Sequence, residues 1–129
     1  MRVGRPARTV AVFLAAVAAA SLTAPCAQAG GSVTYEVVSD SIGVANIEYQ
    51  DAQGRVAITN APLPWRLDVT MPDPQSAPPY GAQVRADWRP DARPNRWVSV
   101  RVIYQGKVFC QNTLDIGDAA CYGNTSRIT

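Results

Sequence analysis

The 129-residue chain contains no histidine. That excludes Ser-His-Asp and Cys-His nucleophilic sites and removes the commonest zinc ligand. Cysteine is scarce too, with only Cys26, Cys110 and Cys121. No glycine-rich phosphate loop follows a strand-like run, and no stretch after residue 30 has helical periodicity, so no helix N-terminus is on offer to an anion. Lysine is nearly absent, one against eleven arginines. That bias fits a GC-rich bacterial genome and weakens the only glycosylation sequon, Asn124-Thr125-Ser126. Carboxylates can do acid–base work without histidine. Here, though, Glu36 and Glu48 fall at outward strand positions. Asp115 and Asp118 fall in a polar turn, with too few oxygens nearby for a good calcium site. The expectation is a protein that is not an enzyme and needs no cofactor or metal.

What is present begins with a leader. Arg2, Arg5 and Arg8 precede an apolar run from Val10 to about Ala20, and Ala27-Gln28-Ala29 follows. Basic, apolar, then A-x-A is the pattern of a secretory signal peptide, expected to span residues 1–29. The run is short and alanine-rich for a bilayer span, which needs roughly 20 apolar residues. Cys26 offers a second way to tether the chain, as a lipidated cysteine, although Pro25 stands where such signals carry a small residue. Three of the twelve basic residues and none of the ten acidic ones lie in the leader. The remainder therefore carries nine basic against ten acidic side chains, a net charge of −1, and a nucleic-acid surface is not expected. It also keeps two cysteines, Cys110 and Cys121, which in an exported domain are expected to form a disulfide.

Residues 30–129 read as one domain. Alternation of period two dominates, punctuated by turn residues. Val33, Tyr35 and Val37 share one face of a first strand; Ala45, Ile47 and Tyr49 share one face of a second. Asp51 to Gly54 is a hairpin turn, and Val56 and Ile58 return inward. Trp65, Leu67, Val69 and Met71 alternate next. Four prolines make residues 72–80 a loop. Then come Val84, Ala86 and Trp88, and after a polar loop the longest strand, residues 96–104, with Val98, Val100, Val102 and Tyr104 on one face. Gln105-Gly106 is a two-residue hairpin turn, residues 115–120 a connector, and residues 123–129 a fraying end. The pattern predicts an all-β fold: a two-sheet antiparallel sandwich of immunoglobulin-like type with seven to eight short strands.

Two stretches stand out. Pro62-Leu63-Pro64-Trp65 carries two prolines that should keep it out of a paired strand, making it a stiff connector that delivers Trp65 to a strand start. The segment from Trp88 to Trp97 holds Arg89, Arg93 and Arg96 with two prolines between two tryptophans. Arginine offers a planar fork for carboxylate or phosphate and stacks on aromatics. Trp88, Arg89, Arg93, Arg96 and Trp97 are thus candidate contacts for an anionic ligand or a protein partner. The plainer alternative is a polar hairpin connection whose tryptophans belong to the core.

Four motifs fall in order: Val33-Thr34-Tyr35-Glu36-Val37, then Ala45-Asn46-Ile47-Glu48-Tyr49-Gln50-Asp51, then Leu63-Pro64-Trp65, then Val100 to Val108 around Gln105-Gly106. Their order and spacing resemble the MmpS family of small mycobacterial membrane proteins, over roughly residues 33–122. The resemblance implies a β-sandwich outside the cytoplasmic membrane, accessory to MmpL exporters of the resistance-nodulation-division type that move siderophores and envelope lipids. It offers no catalytic residues to carry over. The chain departs from the family pattern in its cleavable-looking leader, in a first cysteine displaced beyond the hairpin to Cys110, and in longer loops at 72–80 and 89–96. The expectation is an exported envelope accessory protein, with a freely secreted binding module acting through residues 88–97 as the alternative.

Overall fold

A computed structural model describes residues 31–129. The expected signal peptide and Cys26 lie outside the described residues. Nine strands form among the described residues: β1 (Gly31–Val38), β2 (Val44–Asp51), β3 (Gly54–Pro62), β4 (Trp65–Met71), β5 (Gln83–Asp87), β6 (Val98–Tyr104), β7 (Lys107–Leu114), β8 (Asp118–Tyr122) and β9 (Arg127–Ile128). They pair into two sheets, in the orders β4-β1-β6-β7-β9 and β3-β2-β5-β8. All pairings are antiparallel except β7 with β9. The two-sheet sandwich is the architecture expected from the alternation.

The inner faces are those the period-two pattern picks out. Val33, Tyr35 and Val37 of β1 and Val98, Val100 and Val102 of β6 are completely buried. They stand side by side, with Val37 opposite Val100 and Tyr35 opposite Val102. Ile47 of β2, Val84 and Ala86 of β5 and Cys121 of β8 belong to the same core from the second sheet. Each fully buried aliphatic side chain contributes roughly 1.5–3 kcal/mol relative to exposure, so this strip supplies most of the drive to close the sandwich.

Tyr35 is the one polar side chain set deep in that strip. Its hydroxyl donates to the Gln50 carbonyl at 2.7 Å and accepts from the Gln83 N–H at 3.1 Å. The phenol so joins β1 to both β2 and β5 across the sandwich. Burial pushes its pKa up to about 12.

Cys110 and Cys121 are bonded, with Cα atoms 5.7 Å apart. Cys110 lies on β7 and Cys121 on β8, so the bridge staples one sheet to the other. Both cysteines are buried.

The structure corrects the sequence reading at the chain end. Residues 118–122 form β8, paired along its length with β5, where a connector was expected as far as Ala120. Residues 123–129 do not simply fray: Arg127 and Ile128 pair with Cys110 and Gln111, and the Thr129 N–H reaches the Gln111 carbonyl at 2.9 Å. An unpaired edge on β7 recruits whatever backbone is near, because strand N–H and C=O groups need partners. Likewise Arg96 and Trp97 precede β6 rather than open it.

The proline connector is also shorter than expected. β3 runs through Ala61 to Pro62, whose partner is Val44. β3 is an edge strand, and an edge is where a strand tolerates a residue without an N–H. Only Leu63 and Pro64, joined by a cis peptide bond, pass the chain from the edge of one sheet to the edge of the other. Trp65 then starts β4, half-buried, its ring centroid 5.8 Å from that of Tyr49.

Two measurements check these assignments. Replacing both cysteines, Cys110→Ser and Cys121→Ser, should cost about 2–4 kcal/mol in urea unfolding, since the cross-link restricts the unfolded chain; a loss under about 0.5 kcal/mol would contradict a stapling role. Tyr35 keeps its proton in the folded state above pH 10 while the unfolded chain loses it. Its contribution is whole below pH 10 and lost as pH rises towards 12, with a slope of up to about 1.4 kcal/mol per pH unit. Tyr35→Phe should flatten that part of the stability–pH curve; an unchanged slope would refute the assignment.

Candidate functional site

Four connections lie at one end of the sandwich: residues 39–43, 63–64, 88–97 and 115–117. All four pass from one sheet to the other. Crossing strand ends leave a gap, and side-chain and backbone hydrogen bonds close it. The Ser39 hydroxyl donates to the Trp97 carbonyl at 2.6 Å and accepts from the N–H groups of Ser41 and Ile42. The Leu63 N–H reaches the Gly43 carbonyl at 2.9 Å, and the Trp88 N–H reaches the Gly117 carbonyl at 2.7 Å. Gly117 has φ +113°, and a Cβ there would stand 2.6 Å from Arg89 Cγ, so only glycine fits beneath the loop. Asp115 accepts the Asn95 N–H at 2.8 Å. Asp118 pairs with Arg85 at 3.1 Å. These two aspartates, expected in a solvated turn, instead fasten the loop and the end of β8.

The five residues predicted as contacts do not act as one group. Trp88 is 1% exposed and packs into the core, so its side chain is no surface contact. It sits at the next inward position after Val84 and Ala86 and follows their alternation. Its indole N–H has no acceptor among the described residues. Arg89 opens a short 3-10 turn, Arg89–Asp91, but its fork is taken. It holds Asp87 through Nε and Nη2, the shortest contact being 2.6 Å. That pairing keeps the Asp87 carboxyl below the usual carboxylate range and raises the Arg89 pKa in turn. Arg89 is therefore a brace for the start of the loop.

Arg93 and Arg96 are exposed. Among the described residues neither lies within salt-bridge distance of a carboxylate. Among the described residues the Arg93 guanidinium donates only to the neighbouring Ala92 carbonyl, at 2.7 Å. Together with Ser41, Ile42, Gly43 and Asp91 they line an open hollow of about 390 Å³. Trp97 is 48% exposed and lines a different hollow, of about 550 Å³. Val38, Ser39, Asp40, Pro64, Ser99, Arg101 and Thr113 complete it.

Sequence reasoning missed that second hollow. Its residues come from four separate segments, and only strand register brings them together: Val38 is opposite Ser99, and Ser99 opposite Thr113. No local signal could have gathered them. The Ser99 and Thr113 hydroxyls bond at 2.8 Å. Arg101 is held at 3.3 Å by Glu36, which also binds Arg66, and its Nε donates to Gln111 at 2.6 Å. These groups run as a polar row across the outer face of the first sheet. Among the described residues no three cysteine or carboxylate side chains gather where they could hold a metal ion.

No helix among the described residues is long and apolar enough to cross a membrane. A search of curated proteins returned no match. A family model described as Mycobacterium membrane protein matches residues 15–109, from within the apolar leader to the first residues of β7, leaving the bonded cysteines outside. With a match over well more than half its length, on a two-sheet sandwich bearing the Leu63-Pro64-Trp65 turn, the chain belongs to this family of mycobacterial membrane proteins, the MmpS type.

Proposed function

We propose that this protein is an exported, non-catalytic accessory protein of the cell envelope. It assists an MmpL-type exporter of siderophores or envelope lipids and presents the loop end of its sandwich to that partner. The observation that carries this reading is the family match over residues 15–109. The inter-sheet disulfide supports it, because such bonds persist in oxidising compartments outside the cytoplasm. So does the leader, with its basic cluster and apolar run. The exposed Arg93, Arg96 and Trp97 suit a contact surface, since arginine and tryptophan are favoured at interface centres. The experiment is affinity capture of the tagged full chain from detergent-solubilised envelope membranes. Recovery of a large exporter is the expected result; a protein found wholly in culture supernatant, with no transporter recovered, overturns it.

A second reading rests on one feature, the pair of arginines without a carboxylate partner among the described residues. In it the protein is a freely secreted module that binds an anionic surface through Arg93 and Arg96. Each basic residue near an anionic membrane contributes about 1 kcal/mol. Arg93→Ala with Arg96→Ala should therefore weaken binding to phosphatidylglycerol vesicles by about tenfold or more in co-sedimentation. Equal binding by the variant would make the loop a connector only.

A further inference from the structure

We propose that the hollow beside Trp97 is a binding site for a neutral saccharide. The inference is independent of the exporter reading and of the arginine hollow.

The lining rejects two kinds of ligand. Asp40 brings a carboxylate with no hydrogen-bond partner among the described residues. Arg101, the only cation in the lining, is held by Gln111 and by Glu36, which it shares with Arg66. An anion would meet the unpaired Asp40 carboxylate, and the one cation there is already engaged by Glu36 and Gln111. A wholly apolar ligand would strand the Asp40 carboxylate away from water, and an unsatisfied buried charge is costly. The fitting ligand is uncharged and rich in hydroxyls, with one face of C–H groups.

A pyranose ring is such a ligand, and the lining provides for both of its faces. Trp97 presents a half-exposed indole, a flat apolar platform with an N–H at its edge. Pro64 adds a second stiff apolar surface on the connector. Asp40 can accept from two neighbouring hydroxyls at once, and the Arg101 fork can donate. The backbone under the platform is held: the Trp97 carbonyl accepts from Ser39, and Arg101 is fixed by Glu36 and Gln111. The volume, about 550 Å³, is in the usual range of small-molecule sites, roughly 300–1,000 Å³. The hollow is open and carries one aromatic, so the affinity should be modest, with a Kd on the order of millimolar.

The test uses the full chain and three probes: maltohexaose, cellohexaose and mannohexaose. The indole N–H resonance of Trp97 and the backbone amide resonances of Ser99 and Thr113 are followed by NMR during titration, the amides serving for Trp97→Ala. At least one hexasaccharide should shift it with a saturable, millimolar curve. Trp97→Ala and Asp40→Ala should each weaken that binding by about tenfold. Both should keep the wild-type urea midpoint, since both positions are exposed. Arg93→Ala with Arg96→Ala should leave it unchanged, which separates this site from the anionic one. Three results overturn the proposal: no shift with any probe up to about 50 mM, well above millimolar affinity; equal binding by Trp97→Ala; or perturbation of Trp97 by phosphatidylglycerol vesicles and not by any sugar.

Discussion

Two neighbouring strands hold this molecule together. β1 and β6 each turn three completely buried side chains inward, and the second sheet closes over that strip with Ile47, Val84 and Ala86. Apolar area fixes which faces meet but not how the sheets are turned or slid over each other, because the hydrophobic effect has no direction. Direction comes from two points. One is the Tyr35 hydroxyl, bonded to backbone of β2 and β5. The other is the Cys110–Cys121 bridge between β7 and β8. Together they fix the second sheet at two separate places over the first.

That fixed stacking makes the loop end possible. Four connections cross between the sheets there, and their hydrogen bonds work only if the strand ends stand in one relative position. Ser39 meets the Trp97 carbonyl, Gly117 lies beneath Trp88 and Arg89, and Asp115 holds Asn95. With Asp87 closing on Arg89, the long loop is tied at both ends and in the middle. The result is a preset surface that divides into two hollows with different charge: a basic one at Arg93 and Arg96, and a nearly neutral one at Trp97. Preset surfaces suit recognition, since little freedom is lost when a partner arrives.

Much of the fold was legible because it rests on alternation. Val33, Tyr35, Val37, Val98, Val100 and Val102 announce their side of the sheet by spacing alone. The Gln105-Gly106 turn was legible from residue type, and both residues do take positive φ. β8 and β9 were not, because Asp118 to Tyr122 is short and small-residue-rich, and Arg127-Ile128 is a strand only through the β7 edge beside it. Pro62 misled in the other direction: a proline argues against a central strand, and its place was an edge. At the loop end, residue type singled out Trp88, Arg89, Arg93, Arg96 and Trp97 alike. It could not tell Trp88 from Trp97, which differ only in that one continues an inward alternation and the other precedes a strand. Nor could it find Asp40, Ser99, Arg101 and Thr113, whose meeting is made by cross-strand register.

If the loop end is the working surface proposed above, position 96 should meet the partner and position 57 should not. The most direct measurement places a photo-crosslinking amino acid at position 96, at the loop end, and separately at position 57, on the outer side of β3. Cells expressing each full chain are irradiated and the envelope adducts identified. The account predicts an adduct with a large membrane exporter from position 96 and none from position 57. Adducts with an exporter from position 57 alone, or none from either position, would contradict it.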